Sequence, residues 1–212
     1  LYVPPSFSVA DRDWALELIA RYPFGLLVSG GAEYAQMSHL PMLARERDGA
    51  IYLLGHVARA NPHAEAILAG SAATAIFSGP HAFVSASWYE EPYRTVPTWN
   101  YTAVHAEGRL VEGDKRSVVE ALSSRFEGER HSAWQMARLT QDYVDKQFRG
   151  IVAFEMRVER LIPVAKLSQN RTAADRERVI DALLHSDDPV DRDCAKAMQG
   201  FSTPALNGDG PR

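Results

Sequence analysis

Gly55-His56-Val57-Ala58-Arg59-Ala60-Asn61-Pro62 follows an apolar, strand-like run, Ile51-Tyr52-Leu53-Leu54, and precedes a helix-like run, His63 to Leu68. Asn is a preferred helix N-cap and Pro is favoured at the first helical position, so Asn61-Pro62 marks a helix start by two independent signals. Arg59 stands two residues upstream. Backbone N–H groups at a helix start attract anions, and a guanidinium adds a fixed charge with a bidentate fork of donors, which outlines a phosphate site. The simpler alternative is that Asn61 caps a surface helix and Arg59 is solvated.

Working outward, Ser8 to Tyr22 has helical spacing in Trp14, Leu18, Ile19 and Tyr22, with Pro23 as its stop. Phe24 to Ser29 reads as a strand, Gly30-Gly31 as a hairpin turn, and Tyr34 to Leu43 as the returning strand, with Pro41 placing it at an edge or bulge. Arg45 to Gly49 is a polar turn before the third strand, Ile51 to His56. Beyond Gly70, Ala72 to Phe77 and His81 to Ser87 read as two strands parted by Gly79-Pro80. Five short strands with tight turns suggest an antiparallel sheet or barrel. Trp88 to Trp99, with Pro92, Pro97 and Glu90-Glu91, reads as a surface loop carrying aromatic anchors. Asn100 to Glu112 alternates, with Tyr101, Ala103, His105, Glu107 and Arg109 on one side. Asp114 caps a helix to about Phe126 whose apolar face holds Val118, Val119, Leu122 and Phe126. Ser132 and Gln135 have capping-box spacing ahead of a second short helix that ends before Gly150. Ile151 to Leu161 is a long strand.

The C-terminal third opens with Lys166-Leu167-Ser168-Gln169-Asn170-Arg171, after which Thr172 or Asn170 caps a helix and Asp188-Pro189 starts another. Two helices joined by a short turn invite a helix-turn-helix reading. Thr172 to Gln199 carries seven acidic residues against four Arg or Lys, the wrong sign for a phosphate-seeking surface. Small residues, Gly and Pro from Gly200 onward read as a flexible tail. The expected organisation is a barrel domain over 1–165, a helical extension over 166–199 and the tail over 200–212.

With 212 residues the chain can bury a core without disulfides or metals. A net charge of −4 gives no global footprint for nucleic acid. Cys194 stands alone and has no intramolecular disulfide partner. No stretch has signal-peptide character and no run is apolar enough to span a membrane, so the expectation is a soluble cytoplasmic protein. No HExxH or GxSxG pattern occurs, no Cys–His cluster suggests zinc, and no acid–base pair stands out, so no catalytic or metal-binding residue is expected. His39 and His56 fall in the outlined site, where a structural hydrogen bond is the alternative role. His81 and His105 suit structural hydrogen bonds, and His63, His131 and His185 lie in polar surroundings where solvation is the default.

Further segments carry a resemblance. Tyr2-Val3-Pro4-Pro5-Ser6-Phe7, Pro23-Phe24-Gly25, Ser38-His39-Leu40-Pro41, the Gly55–Pro62 stretch, Phe77 with Gly79-Pro80-His81, Ser87-Trp88-Tyr89, Val96 to His105 and Lys166 to Arg171 together resemble the PaiB-like family, described as FMN-binding negative transcriptional regulators. The resemblance runs in order from residue 2 to about 184. It implies an α+β fold, an antiparallel split β-barrel with peripheral helices of the kind shared by flavin reductases and pyridoxamine phosphate oxidases, in a homodimer with FMN at the subunit interface. Strands two and three of such barrels line the flavin, and the turn after strand three takes its phosphate. On this chain those places fall on Gln36 to Pro41 and Gly55 to Asn61. The resemblance therefore assigns Arg59 and Asn61, with the backbone of Ala60, to the phosphate. His56 and Val57 go to the ring or ribityl side, and Ser38, His39 and Leu40 flank the isoalloxazine through backbone groups and an imidazole. Trp99, Asn100 and Tyr101 suit stacking on a planar ring while bonding its edge, and Lys166, Gln169 and Asn170 offer donors to an anion. These six complete the site from a second subunit or, equally, Trp99 and Tyr101 pack a dimer core and Lys166 to Arg171 is a helix-start loop. Ala86 stands where relatives commonly have Pro, and Glu90 to Arg94 is an acidic, shortened loop. An enzyme on the same barrel, flavin-dependent or haem-handling through His39 or His56, is the alternative function, and a dimer that retains no cofactor is the plainest one. DNA binding is implied only by the family description.

Overall fold

Asp11 accepts hydrogen bonds from the backbone N–H groups of Asp13 and Trp14, and the first helix, α1 (Arg12–Arg21), begins there. It starts later than the expected Ser8. Pro4-Pro5 instead makes a single 3-10 turn over Pro5–Phe7, and Ser8 forms a β-bridge with Val164. The computed structural model describes residues 1–31 and 33–201. These residues form two compact units. One comprises Asp11–Phe77 and Val104–Ile162. The other comprises Leu1–Ala10, Ser78–Ala103 and the chain from Pro163 onward.

The strands are β1 (Phe24–Ser29), β2 (Gln36–Pro41), β3 (Leu43–Arg47), β4 (Ala50–Ala58), β5 (Ala72–Val84), β6 (Thr98–Glu112) and β7 (Ile151–Lys166). They join in one antiparallel sheet in the order β2-β1-β5-β6-β7-β4-β3, so β2 and β3 are its edges. Pro41 indeed closes an edge strand, pairing with Phe24. A change of partner there divides the expected strand 34–43 in two: Met42 is fully buried and donates its N–H to Pro23 O, and β3 goes on to pair with β4. The turn between β3 and β4 is only Asp48-Gly49, both at positive φ (52° and 75°), as a two-residue hairpin loop of this hand requires.

Two further strand expectations are corrected by length. β5 continues through Gly79-Pro80 as one element, and β7 continues through Pro163 to Lys166. Proline removes one donor but keeps an extended φ, so it need not end a strand. The expected capping box at Ser132 does not start a helix. The Ser132 hydroxyl accepts from Trp134 N, a 3-10 turn follows at Met136–Arg138, and the helix α4 (Gln141–Arg149) begins after Thr140.

In the first unit, α2 (His63–Leu68) and α3 (Lys115–Glu129) accompany α1 and α4. Asp114 caps α3 by accepting from Ser117 N. Leu27, Leu53, Phe77, Leu110, Phe154 and Met156 are fully buried in its core, with Ile19 and Ile67 of the helices. Val118 and Leu122 of α3 pack with Leu54 and Ala153. At about 25 cal/mol per Å² of apolar surface, such side chains stabilise by roughly 1.5–3 kcal/mol each.

In the second unit Thr172 caps α5 (Ala173–Leu184) by accepting from Asp175 N, and Asp188 caps α6 (Pro189–Gly200) by accepting from Val190 N. Gly200 thus ends a helix rather than opening a tail, and residues 202–212 of the expected tail lie outside the described residues. Among the described residues no helix is long and apolar enough to cross a membrane, and no cluster of His, Cys, Asp and Glu has metal-site geometry.

Candidate functional site

Asn61 is the pivot of the site. Pro62 has helical dihedrals (φ −54°, ψ −28°), and Asn61 Oδ1 accepts the backbone N–H of His63 at 2.9 Å, as an N-cap does. A backbone N–H only donates, so it fixes the amide orientation: Oδ1 faces His63 N and Nδ2 faces Ser38. The Asn61 Nδ2 donates to Ser38 Oγ at 3.0 Å, and the same oxygen lies 2.7 Å from His63 Nδ1. Ser38 and Asn61 are half-buried, whereas His63 is fully buried. Its Nε2 has no hydrogen-bond partner. Burial pushes the His63 pKa below the ordinary histidine value, so the ring is neutral near neutral pH.

His63 was expected to be solvated. Its helical spacing to Ile67, one turn on, places it on the buried face of α2, and that is the signal in the sequence that marks it as interior. α2 itself has six residues. Three side chains, those of Ser38, Asn61 and His63, meet at its start.

Arg59 is exposed, and part of its guanidinium is already engaged. Its Nε donates to Arg149 O at 3.0 Å and an Nη to Ile151 O at 3.4 Å, while its backbone N–H donates to Gly150 O. The side chain thereby satisfies the last carbonyl of α4 and the first of β7, and the guanidinium has further N–H donors beyond these two. Ala60 is exposed on the same turn. His56 in β4 is half-buried, its Nδ1 is buried without a partner, and burial lowers its pKa. Val57 and Leu40 are core residues. His39 is exposed on β2 and stacks near Phe24 at 6.3 Å between ring centroids.

The remaining candidates belong to the other unit. Trp99 is exposed and contacts the rings of His81 (6.3 Å) and Phe83 (5.9 Å). Tyr101 is half-buried and Asn170 exposed. Asn100 is buried, and its amide exchanges hydrogen bonds with Ser168 Oγ. Gln169 is buried as well: its Oε1 accepts Leu167 N at 2.6 Å and its Nε2 donates to Ala165 O. Lys166 donates to Thr98 Oγ1 at 2.5 Å and lies 5.9 Å from the Phe7 ring centre. Burial first, and the Arg171 charge second, lower its pKa. Trp99 and Asn170 are thus exposed and Tyr101 and Lys166 half-buried, whereas the amides of Asn100 and Gln169 hold their own segment.

Two clefts of the first unit lie elsewhere. One of about 460 Å³ is lined by Ser29, Thr74, Glu107 and Gly108, and another of about 470 Å³ by Met42, Arg45 and Arg125. Neither includes Ser38, Asn61 or His63.

Among known proteins, the chain is 31% identical over 202 residues to "Protease synthase and sporulation protein PAI 2" of Bacillus subtilis (strain 168), across 94% of this chain and 97% of that one. In fold it is similar to the FAD and heme binding protein from Mycobacterium smegmatis, with a TM-score of 0.59 at 15% identity, covering 75% of this chain and 73% of that chain. It is also similar to the flavocytochrome Anf3 from Azotobacter vinelandii, with a TM-score of 0.53 at 13% identity, covering 75% and 69%. The α+β split barrel expected from the sequence is the observed architecture. The PaiB-like resemblance holds as well: residues 1–160 match the family described as "Putative FMN-binding domain", and the chain belongs to that family.

Proposed function

We propose that this chain binds FMN as a homodimer and acts as a regulator of the PaiB type. The observation that carries the flavin reading is the Ser38–Asn61–His63 cluster beside Arg59, in a chain whose residues 1–160 belong to an FMN-binding family. The cluster suits a ligand rich in acceptor oxygens. It offers a half-buried hydroxyl, an anchored amide and a guanidinium with donors to spare, and the His56 Nδ1 is a further polar atom in need of a partner. FMN, when bound, supplies the redox chemistry. The residues of the chain bind and orient it.

In this reading Arg59, Ala60 and Asn61 hold the phosphate, Ser38, His39 and Leu40 flank the ring, and His56 and Val57 lie toward the ring or ribityl side. Trp99, Tyr101, Lys166 and Asn170 are its further contacts by way of the second subunit, in a segment shaped by Asn100 and Gln169. The exposure of Phe83, Val96 and Trp99 supports a partner surface on that unit.

Direct DNA reading by α5 and α6 has little support. Of their four cations, Arg176 donates to Met198 O and Phe201 O, and Arg178 lies beside Glu90 and Asp175. Arg192 donates to Ser186 O, and Lys196 pairs with Asp193. The regulatory role is thus read as cytoplasmic sensing of a flavin or its redox state. A second reading, a flavin- or haem-dependent oxidoreductase, is favoured by the fold shared with the flavin and haem proteins above and by the exposed His39 imidazole.

Titration of the purified protein with FMN, followed by flavin fluorescence and visible absorption, tests the proposal, with haemin as a parallel ligand. Saturable binding at micromolar FMN or below, a scale of roughly −8 kcal/mol, supports it. Absence of FMN binding together with a haemin Soret shift replaces it with the haem reading.

A further inference from the structure

We infer that His63 is a positioning residue that turns the Ser38 hydroxyl into a one-way hydrogen-bond donor toward the ligand. The inference rests on the flavin reading for the identity of that ligand, but the hydrogen-bond direction is a property of the free protein. A serine oxygen has two lone pairs and one hydrogen. One lone pair takes Asn61 Nδ2, whose orientation is fixed by the His63 backbone N–H on Oδ1. The second contact is His63 Nδ1 at 2.7 Å.

A neutral imidazole carries one N–H, and its placement decides what Ser38 can do. With the hydrogen on Nε2, that N–H is buried without an acceptor, and Ser38 must turn its own hydrogen inward to Nδ1. With the hydrogen on Nδ1, His63 donates to Ser38 Oγ, and only the Nε2 lone pair is left without a partner. Orphaned buried N–H groups are rarer than under-satisfied acceptors, so the second arrangement is favoured. Both lone pairs of Ser38 are then filled by Asn61 and His63, and its hydrogen is the one function left for a ligand. Such a site accepts an oxyanion or carbonyl oxygen there and rejects an N–H or O–H donor at the same position, since two donors would face each other.

Long-range nitrogen–proton NMR of the labelled wild-type protein, above the histidine titration range and without FMN, reads the tautomer directly. A resonance pattern of Nδ1–H with bare Nε2 is expected for His63, and the Nε2–H pattern overturns the inference. FMN titration then tests the consequence. Ser38→Ala and His63→Leu are each expected to weaken binding by about 10-fold, and the double variant by no more than either alone, because they remove one donor between them. His63→Asn, whose amide nitrogen replaces Nδ1–H, is expected to stay within about 3-fold of wild type. Wild-type affinity in His63→Leu alongside a loss in Ser38→Ala sinks the positioning role. Failure of the wild type to bind FMN removes the flavin reading instead, and the tautomer still decides the inference.

Discussion

The side-chain amide of Asn100 donates to Ser168 Oγ at 2.9 Å, and the Ser168 hydroxyl lies 3.3 Å from Asn100 Oδ1. Both residues are buried, at 1% and 3% exposure, and Ser168 sits at φ +62°, a conformation that needs outside support in a non-glycine residue. The pair ties β6 to the segment after β7 within one unit, and Asn100 also reaches Met198 Sδ of α6. Asn100→Leu leaves the Ser168 hydroxyl buried without its partner. The expected loss is about 1–3 kcal/mol in urea unfolding, partly recovered by adding Ser168→Ala, which removes the orphan. No recovery in the double variant means that the hydrogen-bonded pair is not what the unit depends on.

Arg59→Ala separates the two roles of that guanidinium. If it binds the phosphate, the variant weakens FMN binding by about 1.5–3 kcal/mol and leaves riboflavin binding little changed, since riboflavin lacks the phosphate. Loss of the bonds to the carbonyls of Arg149 and Ile151 adds a stability cost of about 1 kcal/mol, because they end on an exposed side chain. Equal FMN affinity in the variant and the wild type removes Arg59 from the cofactor site and leaves it as a cap for α4.

Most of the barrel is legible in the sequence because its strands alternate and its turns carry Gly, Asn or Asp at positions that demand them, Asp48-Gly49 among them. Two misplacements share one cause. Gly79-Pro80 reads locally as a break and the last strand is followed only to Leu161, yet Pro80 and Pro163 each lie within a long strand. The division at Met42 has the opposite origin: a continuous apolar pattern hides a change of partner from β1 to β4. At the site, Asn61-Pro62 announces the helix start. The buried state of His63 follows from its spacing to Ile67, but its bond to Ser38, 25 positions away, is a product of tertiary packing that no local pattern carries.

Glycine substitution tests how closely the strands approach. A Cβ on Gly108 of β6 falls 2.0 Å from Arg157 O, a backbone atom of β7, whereas one on Gly55 meets the Phe154 ring at 2.6 Å and Leu40 Cδ1 at 3.1 Å. A backbone obstacle cannot rotate away, but a ring can shift in part. Gly55→Ala is therefore expected to cost about 1–3 kcal/mol, the usual range for overpacking, and Gly108→Ala to cost more. Denaturant midpoints of the two variants check the order, and a milder effect at Gly108 contradicts the β6–β7 approach.

The acid limb of stability belongs in part to His56 and His63. Burial lowers both pKa values from the ordinary 6.5, and no charged neighbour contributes to either shift. Folded chains therefore resist protonation that unfolded chains accept. The resulting stability is fully present above the unfolded value, declines as pH falls below 6.5, and is exhausted once pH passes the lower folded values. Each group that titrates only in the unfolded state contributes a slope of up to about 1.4 kcal/mol per pH unit. Unfolding free energy is thus expected to be level at and above neutrality and to decline toward about pH 5, where carboxylates begin to add their own dependence. His63→Asn with His56→Gln keeps polar groups in place without a titrating ring, so the double variant flattens this window. An unchanged slope in it would assign the acid sensitivity to other groups, with His105, also lowered by burial, the next to test.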